Sequence, residues 1–202
     1  MNRNFQVAKP PAPQNRDGVK TLLLDGLWGS VTRLRLMQRR LAAAGVRDVE
    51  TFAYRASGFC CLEEEGRRLA EHVAGLERPV NLVGYSMGGL VVQAARLANP
   101  DLDIRRVAFI NTPHRGSLLA HWLPGAAIRQ MRPGSKFLEK LASLEWSVPT
   151  LAIWTPGDLM VVPASSAAWP RATLTARCRV PAHIWPLFCP RTHAQLAAFL
   201  LE

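Results

Sequence analysis

The chain has 202 residues, enough for one domain with a sizeable core and short for two. Hydrophobic residues make up 49% and charged residues 20%, which reads as a soluble globular protein, and no apolar run reaches the ~20 residues that a membrane-spanning helix needs. The net charge of +10 is carried mostly by arginines scattered along the chain, without a block of five or more basic residues; this argues against a nucleic-acid partner and leaves only a weak contact with an anionic membrane surface.

The first segment, "MNRNFQVAKPPAPQNRDG", is rich in Pro, Asn and Gln and reads as a loose leader over residues 1–17. It has no apolar core of signal-peptide length, so a cytoplasmic location is expected. Four cysteines, Cys60, Cys61, Cys178 and Cys189, form neither a C-x-x-C motif nor a metal-ligand spacing. That pattern gives no metal site, and without a signal peptide reduced thiols are expected.

From residue 18 onward, strand-like and helix-like segments alternate. "VKTLLLDG" (19–26) is an apolar run of strand length. Leu34, Met37, Leu41 and Ala44 then recur at helical spacing, with Gly45 as a stop. "VETFAY" (49–54) is a second strand. Leu62, Leu69, Val73 and Leu76 mark a second helix, whose first turn carries Glu63, Glu64 and Glu65, where acids suit the helix dipole. "PVNLVGY" (79–85) is a third strand, followed by a helix over 87–99 that ends before Pro100. "RRVAFINT" (105–112) and "VPTLAIWT" (148–155) are the fourth and fifth strands, "ATLTARCRV" (172–180) is a weaker sixth, and a final helix follows Pro190.

This alternation predicts an α/β domain over 18–202, with a mostly parallel sheet of about six strands and helices on both faces. In such sheets ligands gather at the carboxyl ends of the strands. The long apolar stretch 114–147, between the fourth and fifth strands, reads as an insertion with one or two short helices, placed to act as a lid over a pocket.

Gly84-Tyr85-Ser86-Met87-Gly88 places G-x-S-x-G directly between a strand and a helix. Flanking glycines let the two backbones approach, and the sharp turn pushes Ser86 out over the sheet edge. The competing reading is a glycine-rich packing turn whose serine only caps the helix. A serine hydroxyl needs a base to become a nucleophile, and the base needs an acid to hold its tautomer. In this context the chain order is Ser, acid, His.

Asp158, in the Pro-Gly turn after the fifth strand, is the candidate acid; its alternative role is a local Asx turn. His114 and His121 precede it and break the order, and His72 lies on the second helix with its ring expected in solvent. His183 sits in the loop after the sixth strand and is favoured over His193, which is fixed in the first turn of the last helix. A structural role with satisfied nitrogens is the alternative for both. The oxyanion donors expected are the backbone N–H of Met87 and of Leu27, in the "DGLWGS" loop after the first strand. Trp28 and Trp122 are candidates to line the acyl pocket.

Four segments carry a resemblance to a known family: "LLLDGLWGS", "VNLVGYSMGGLV", "FINTPHRGS" and "TPGDLMVVP…AHIWPLFCPRTHAQLAAFL". From about Val19 to its end, the chain resembles small lipases and esterases of the α/β-hydrolase superfamily, in the compact bacterial triacylglycerol-lipase-like branch. The resemblance implies a minimal hydrolase fold lacking the first two antiparallel strands of larger members. It places the nucleophile on Ser86, the acid on Asp158 and the base on His183. It also implies carboxylic ester cleavage of a small-molecule acyl ester or lipid, with no metal or cofactor.

One departure stands out. Asp25-Gly26 occupies the place where the family usually has His-Gly. An acid there would oppose charge building on the substrate oxygen, or would serve as a structural hydrogen-bonding group facing away. The first case would make the chain a weakly active or non-catalytic binding protein on a hydrolase fold.

Overall fold

The computed structural model describes residues 18–202, and the leader expected over 1–17 lies outside them. The elements run β1 (Lys20–Leu24), α1 (Arg35–Ala43), β2 (Val49–Thr51), α2 (Leu62–Ala74), β3 (Val80–Tyr85), α3 (Met87–Ala98) and β4 (Ile104–Ile110). Then come α4 (Ala126–Gln130), α5 (Lys136–Ala142), β5 (Thr150–Trp154), β6 (Leu174–Arg177) and α6 (Pro190–Leu201). Short 3-10 turns stand at Leu118–His121, Ala164–Ala167 and Trp185–Leu187.

All strand pairings are parallel, in the order β2-β1-β3-β4-β5-β6. The strands are apolar on both faces because both faces are covered. Leu22 and Leu24 of β1, Leu82 of β3 and Val107 and Phe109 of β4 point to the layer formed by α2, α3 and α5. Their neighbours Leu23, Val83, Ala108 and Ile110 point to the opposite layer, where α1 and its N-cap supply Leu34, Met37 and Leu41, and α6 supplies Leu196, Phe199 and Leu200. The period of two in the strands thus divides the core into two halves. Among the described residues, no helix is long and apolar enough to cross a membrane.

Two strands are shorter than their sequence patterns. β2 stops at Thr51 rather than Tyr54 because the chain leaves the sheet there, and the Tyr54 hydroxyl donates to the Asp25 carbonyl at 2.6 Å. β6 pairs only over Leu174–Arg177; it is an edge strand, and three of its four side chains are exposed.

The insertion at 114–147 contains α4, α5 and the first 3-10 turn. Phe137, Leu138 and Leu141 of α5 are buried in the same core layer as α3. Ser135 caps α5 by accepting the Leu138 N–H, and its hydroxyl donates to the Gln130 carbonyl at 2.6 Å. The insertion is therefore anchored by packing at its far end and reaches over the sheet edge at its near end.

Candidate active site

Strand order reverses between β1 and β3: the chain steps outward to β2, then crosses back to β3. The crevice at the carboxyl ends of β1 and β3 is the place where such a sheet opens for a ligand. Ser86 lies there, between the last residue of β3 and the first of α3. Its backbone sits at φ 52° and ψ −124°, a region that costs a non-glycine residue about 1–3 kcal/mol. Close packing enforces this conformation. A Cβ on Gly84 would fall on the backbone of Gly88 and Gly89, and a Cβ on Gly88 would fall on the carbonyls of Leu24 and Asp25. The Ser86 N–H is held by the Ile110 carbonyl at 2.7 Å. The glycines thus draw strand and helix together, and the turn between them has one way to go.

Three side chains from three strand ends meet at this point. His183 Nε2 lies 2.9 Å from Ser86 Oγ, and His183 Nδ1 lies 2.5 Å from Asp158 Oδ2. An ionised Asp158 can only accept, so Nδ1 carries the proton and Nε2 is left to accept from the serine hydroxyl. Asp158 is buried, and its other oxygen accepts the N–H groups of Met160 at 2.8 Å and Val161 at 3.0 Å. One Asp158 oxygen therefore makes the local turn and the other meets the imidazole.

Two residues not singled out by sequence reasoning place the His183 loop. The Asn111 side-chain amide donates to the His183 carbonyl at 2.9 Å and to Thr155 Oγ1 at 3.2 Å, while its oxygen accepts the Thr155 N–H at 2.9 Å. The Tyr85 hydroxyl donates to the same His183 carbonyl at 3.2 Å. Burial raises the pKa of this phenol, which keeps it a donor. A polar residue inside the oily run "AFINTP", at the ligand edge of the sheet, was the available signal for Asn111.

The loop after β1 presses against the elbow. The Cα of Gly26 is so near Ser86 that a Cβ would come within 2.8 Å of the serine Cβ. Asp25, the departure noted above, is buried and does not face the site as a bare charge. Its carboxylate accepts Gly26 N–H at 2.7 Å and Ser30 N–H at 3.0 Å, and Arg33 reaches it with Nη2 at 2.6 Å from Oδ1 and Nε at 2.8 Å from Oδ2. Of the two roles weighed for this acid, the structural one is realised: Arg33 balances the charge and the loop amides use its oxygens. Among the described residues, no hydrogen bond engages the N–H groups of Leu27 or Met87. Trp28 adopts φ 52°, and its N–H is held by the Ala56 carbonyl at 2.6 Å.

A cavity of about 460 Å³ opens beside Ser86 and His183. Its wall is mostly apolar, with Leu27, Trp28, Leu119, Leu123, Ile128, Met131 and Val161 among the lining residues. The insertion supplies Leu119, Leu123, Ile128 and Met131. Trp122 is a correction to the sequence reading: it is 85% exposed and lies outside the lining. It is the C-cap of the 3-10 turn Leu118–His121; the chain leaves that turn at Trp122, so Leu119 and Leu123, four residues apart as on one helix face, meet the cavity and Trp122 between them stays in solvent.

The other histidines have other surroundings. His72 and His121 are exposed. His193 is buried, donates from Nε2 to the Leu187 carbonyl at 2.8 Å, and has its pKa lowered by burial. His114 stacks on Trp169 at 4.9 Å between centroids and accepts from Gln93 at Nδ1.

No family model matches the chain, and no curated protein matches it by sequence. Solved structures do. Aspergillus fumigatus lipase B superposes with a TM-score of 0.77 over 90% of this chain at 16% identity; this chain spans about half of that one, 52%. Bacillus licheniformis lipase BlEst2 gives 0.74 at 17% identity over 96% of both chains. Paleococcus ferrophilus monoacylglycerol lipase gives 0.68 at 17% identity, over 91% of this chain and 96% of that one. The architecture common to these lipases, a parallel sheet wound on both faces by helices, is the α/β-hydrolase fold, and it is the fold of this chain.

Proposed function

We propose that this chain is a serine hydrolase that cleaves carboxylic esters with an apolar acyl group, using Ser86, His183 and Asp158 as its triad. The observation that carries this reading is the hydrogen-bonded relay from Asp158 through His183 to Ser86 at the wall of an apolar cavity. His183 takes the Ser86 proton on Nε2 as Oγ attacks the acyl carbonyl. The oxyanion forms beside the N–H groups of Met87 and Leu27, which have no competing partner among the described residues. The proton on Nε2 then passes to the departing alcohol and leaves an acyl group on Ser86. Water, deprotonated by His183, repeats the attack and releases the acid. These steps call on no metal or cofactor.

The pairing of Asp25 with Arg33 favours catalysis over a non-catalytic binding role, because the charge of the acid is balanced beside the place where an oxyanion would form. Trp28 and Leu159 line the cavity yet are 67% and 77% exposed, so an apolar substrate meets an apolar rim on its way in. This favours lipid-like esters over polar ones. The test is covalent labelling by a fluorophosphonate together with hydrolysis of p-nitrophenyl esters of increasing chain length. Labelling and turnover are expected in the wild type and lost in Ser86→Ala. A folded wild type that takes no label and hydrolyses no ester would end this reading.

A further inference from the structure

The segment that carries His183 runs from the end of β6 to the start of α6, and a cysteine stands at each end of it. Cys178 directly follows β6, and Cys189 is the N-cap of α6. Both are free thiols. Cys178 Sγ lies 3.2 Å from Oγ1 of Thr192, in the first turn of α6 and three residues beyond Cys189. Both line one cleft of about 430 Å³, whose other walls include Arg177, Arg179 and Arg191. Neither thiol lines the cavity beside Ser86.

The two thiols are unequal, and each alters the acidity of the other. Burial raises the Cys178 pKa and leaves it a thiol. Burial acts the same way on Cys189, but the Thr192 amide and hydroxyl, the Arg191 amide and the Cys178 thiol outweigh it, and the net direction is down. By contrast, Cys60 is pushed up to about 11 by burial and donates to the Ser57 carbonyl, the setting of an inert thiol.

We propose that Cys178 and Cys189 are a redox dithiol, converted to a disulfide by an anionic low-molecular-weight disulfide of the glutathione type. The Cys189 thiolate attacks one sulfur of the oxidant and breaks its S–S bond; a small thiolate leaves and takes a proton from water. The mixed disulfide on Cys189 is then attacked by the Cys178 sulfur, which gives up its proton to solvent. The protein disulfide forms and the second small thiol departs. Over the two steps, one S–S bond is broken and one is formed in net, and two electrons pass from the protein to the oxidant. The three arginines attract the carboxylates of the oxidant to the cleft. The product is a covalent ring closed around the His183 segment.

The reaction is read by mass, so its outcome is independent of whether the chain hydrolyses esters. Reduced, folded full-length protein is incubated with glutathione disulfide and mapped without reduction. The wild type is expected to lose about 2 Da and retain no glutathione. Its tryptic map should join the dipeptide Cys178-Arg179 to the peptide 180–191, and dithiothreitol should reverse the link. Cys178→Ser should stop at a glutathione adduct on Cys189, Cys189→Ser should stay reduced at Cys178, and the Cys60→Ser/Cys61→Ser double variant should behave as the wild type. Wild-type protein that collects glutathione without closing the link overturns the proposal. So does a link that involves Cys60 or Cys61.

Discussion

Arg33 holds both oxygens of Asp25 across the loop that begins at the end of β1, with Nη2 2.6 Å from Oδ1 and Nε 2.8 Å from Oδ2. The same carboxylate accepts Gly26 N–H and Ser30 N–H, so one ion pair shapes the turn that presents Leu27 to the elbow. Arg33→Ala leaves a buried, unpaired charge beside the place where an oxyanion would form. We expect kcat to fall on the order of 10–100-fold with KM less affected, and stability to drop by about 2 kcal/mol. Removing both charges, in Asp25→Asn with Arg33→Met, should recover part of each loss, because the remaining groups are neutral. Steady-state ester hydrolysis and denaturant melts on the two variants and the wild type check this; full kcat in Arg33→Ala would refute it.

The backbone of Ser86 is held at φ 52°, where glycine is at ease and serine is strained. Ser86→Gly should therefore abolish hydrolysis while stabilising the fold by about 1 kcal/mol. Ser86→Ala should abolish hydrolysis without that gain, since alanine keeps the Cβ that causes the strain. Urea unfolding of both variants beside the wild type distinguishes the two cases, and equal midpoints would contradict the strain argument.

Asn111 ties the ends of β4 and β5 to the carbonyl of His183 through three hydrogen bonds. Asn111→Asp replaces the donating amide with an acceptor that faces two oxygens. We expect a loss of about 1–3 kcal/mol in stability and slower labelling of Ser86 as the imidazole loses its support. A variant that labels at the wild-type rate would show that Asn111 serves stability alone.

His114 is buried against Trp169, Phe109 and Gln93, and burial first, then Arg171 and Arg115, lowers its pKa to about 3. In the unfolded chain it titrates near 6.5. Between these values the unfolded state holds a proton that the folded state does not. Stability is therefore full above about 6.5 and declines as pH falls toward 3, by up to ~5 kcal/mol. His114→Phe keeps the aromatic stack and removes the titration. Its unfolding free energy, measured from pH 7 to 4, should decline less steeply than that of the wild type.

Much of the site could be read along the chain because its logic is local or ordinal. The elbow is a contiguous run, and the turn at Gly84 and Gly88 needs only small residues at fixed offsets from Ser86. Asp158 and His183 follow strands in the expected order, and the sheet brings their ends within hydrogen-bonding distance. The residues that sequence reasoning passed over, Asn111, Tyr85 and Arg33, act through contacts between segments distant in the chain or on either side of a turn. Their identity as polar residues near strand ends carried no statement of what they would meet. Trp122 failed for a different reason: an oily neighbourhood marks a segment that covers something, but where the chain leaves the short turn Leu118–His121 decides which side chains face in.

The sequence by itself determined the layers of this protein. Apolar runs of strand length, separated by amphipathic helices, leave a parallel sheet covered on both faces as the arrangement that buries them, and a serine on a glycine-flanked turn then stands at the strand ends. Tertiary structure alone decided the electrostatics of the site. Whether Asp25 opposes an oxyanion or shapes the loop beside it depends on where the guanidinium of Arg33 comes to rest. That position is set by the turn of the backbone in space, since the strength of a charge pair depends on distance and burial rather than on separation along the chain.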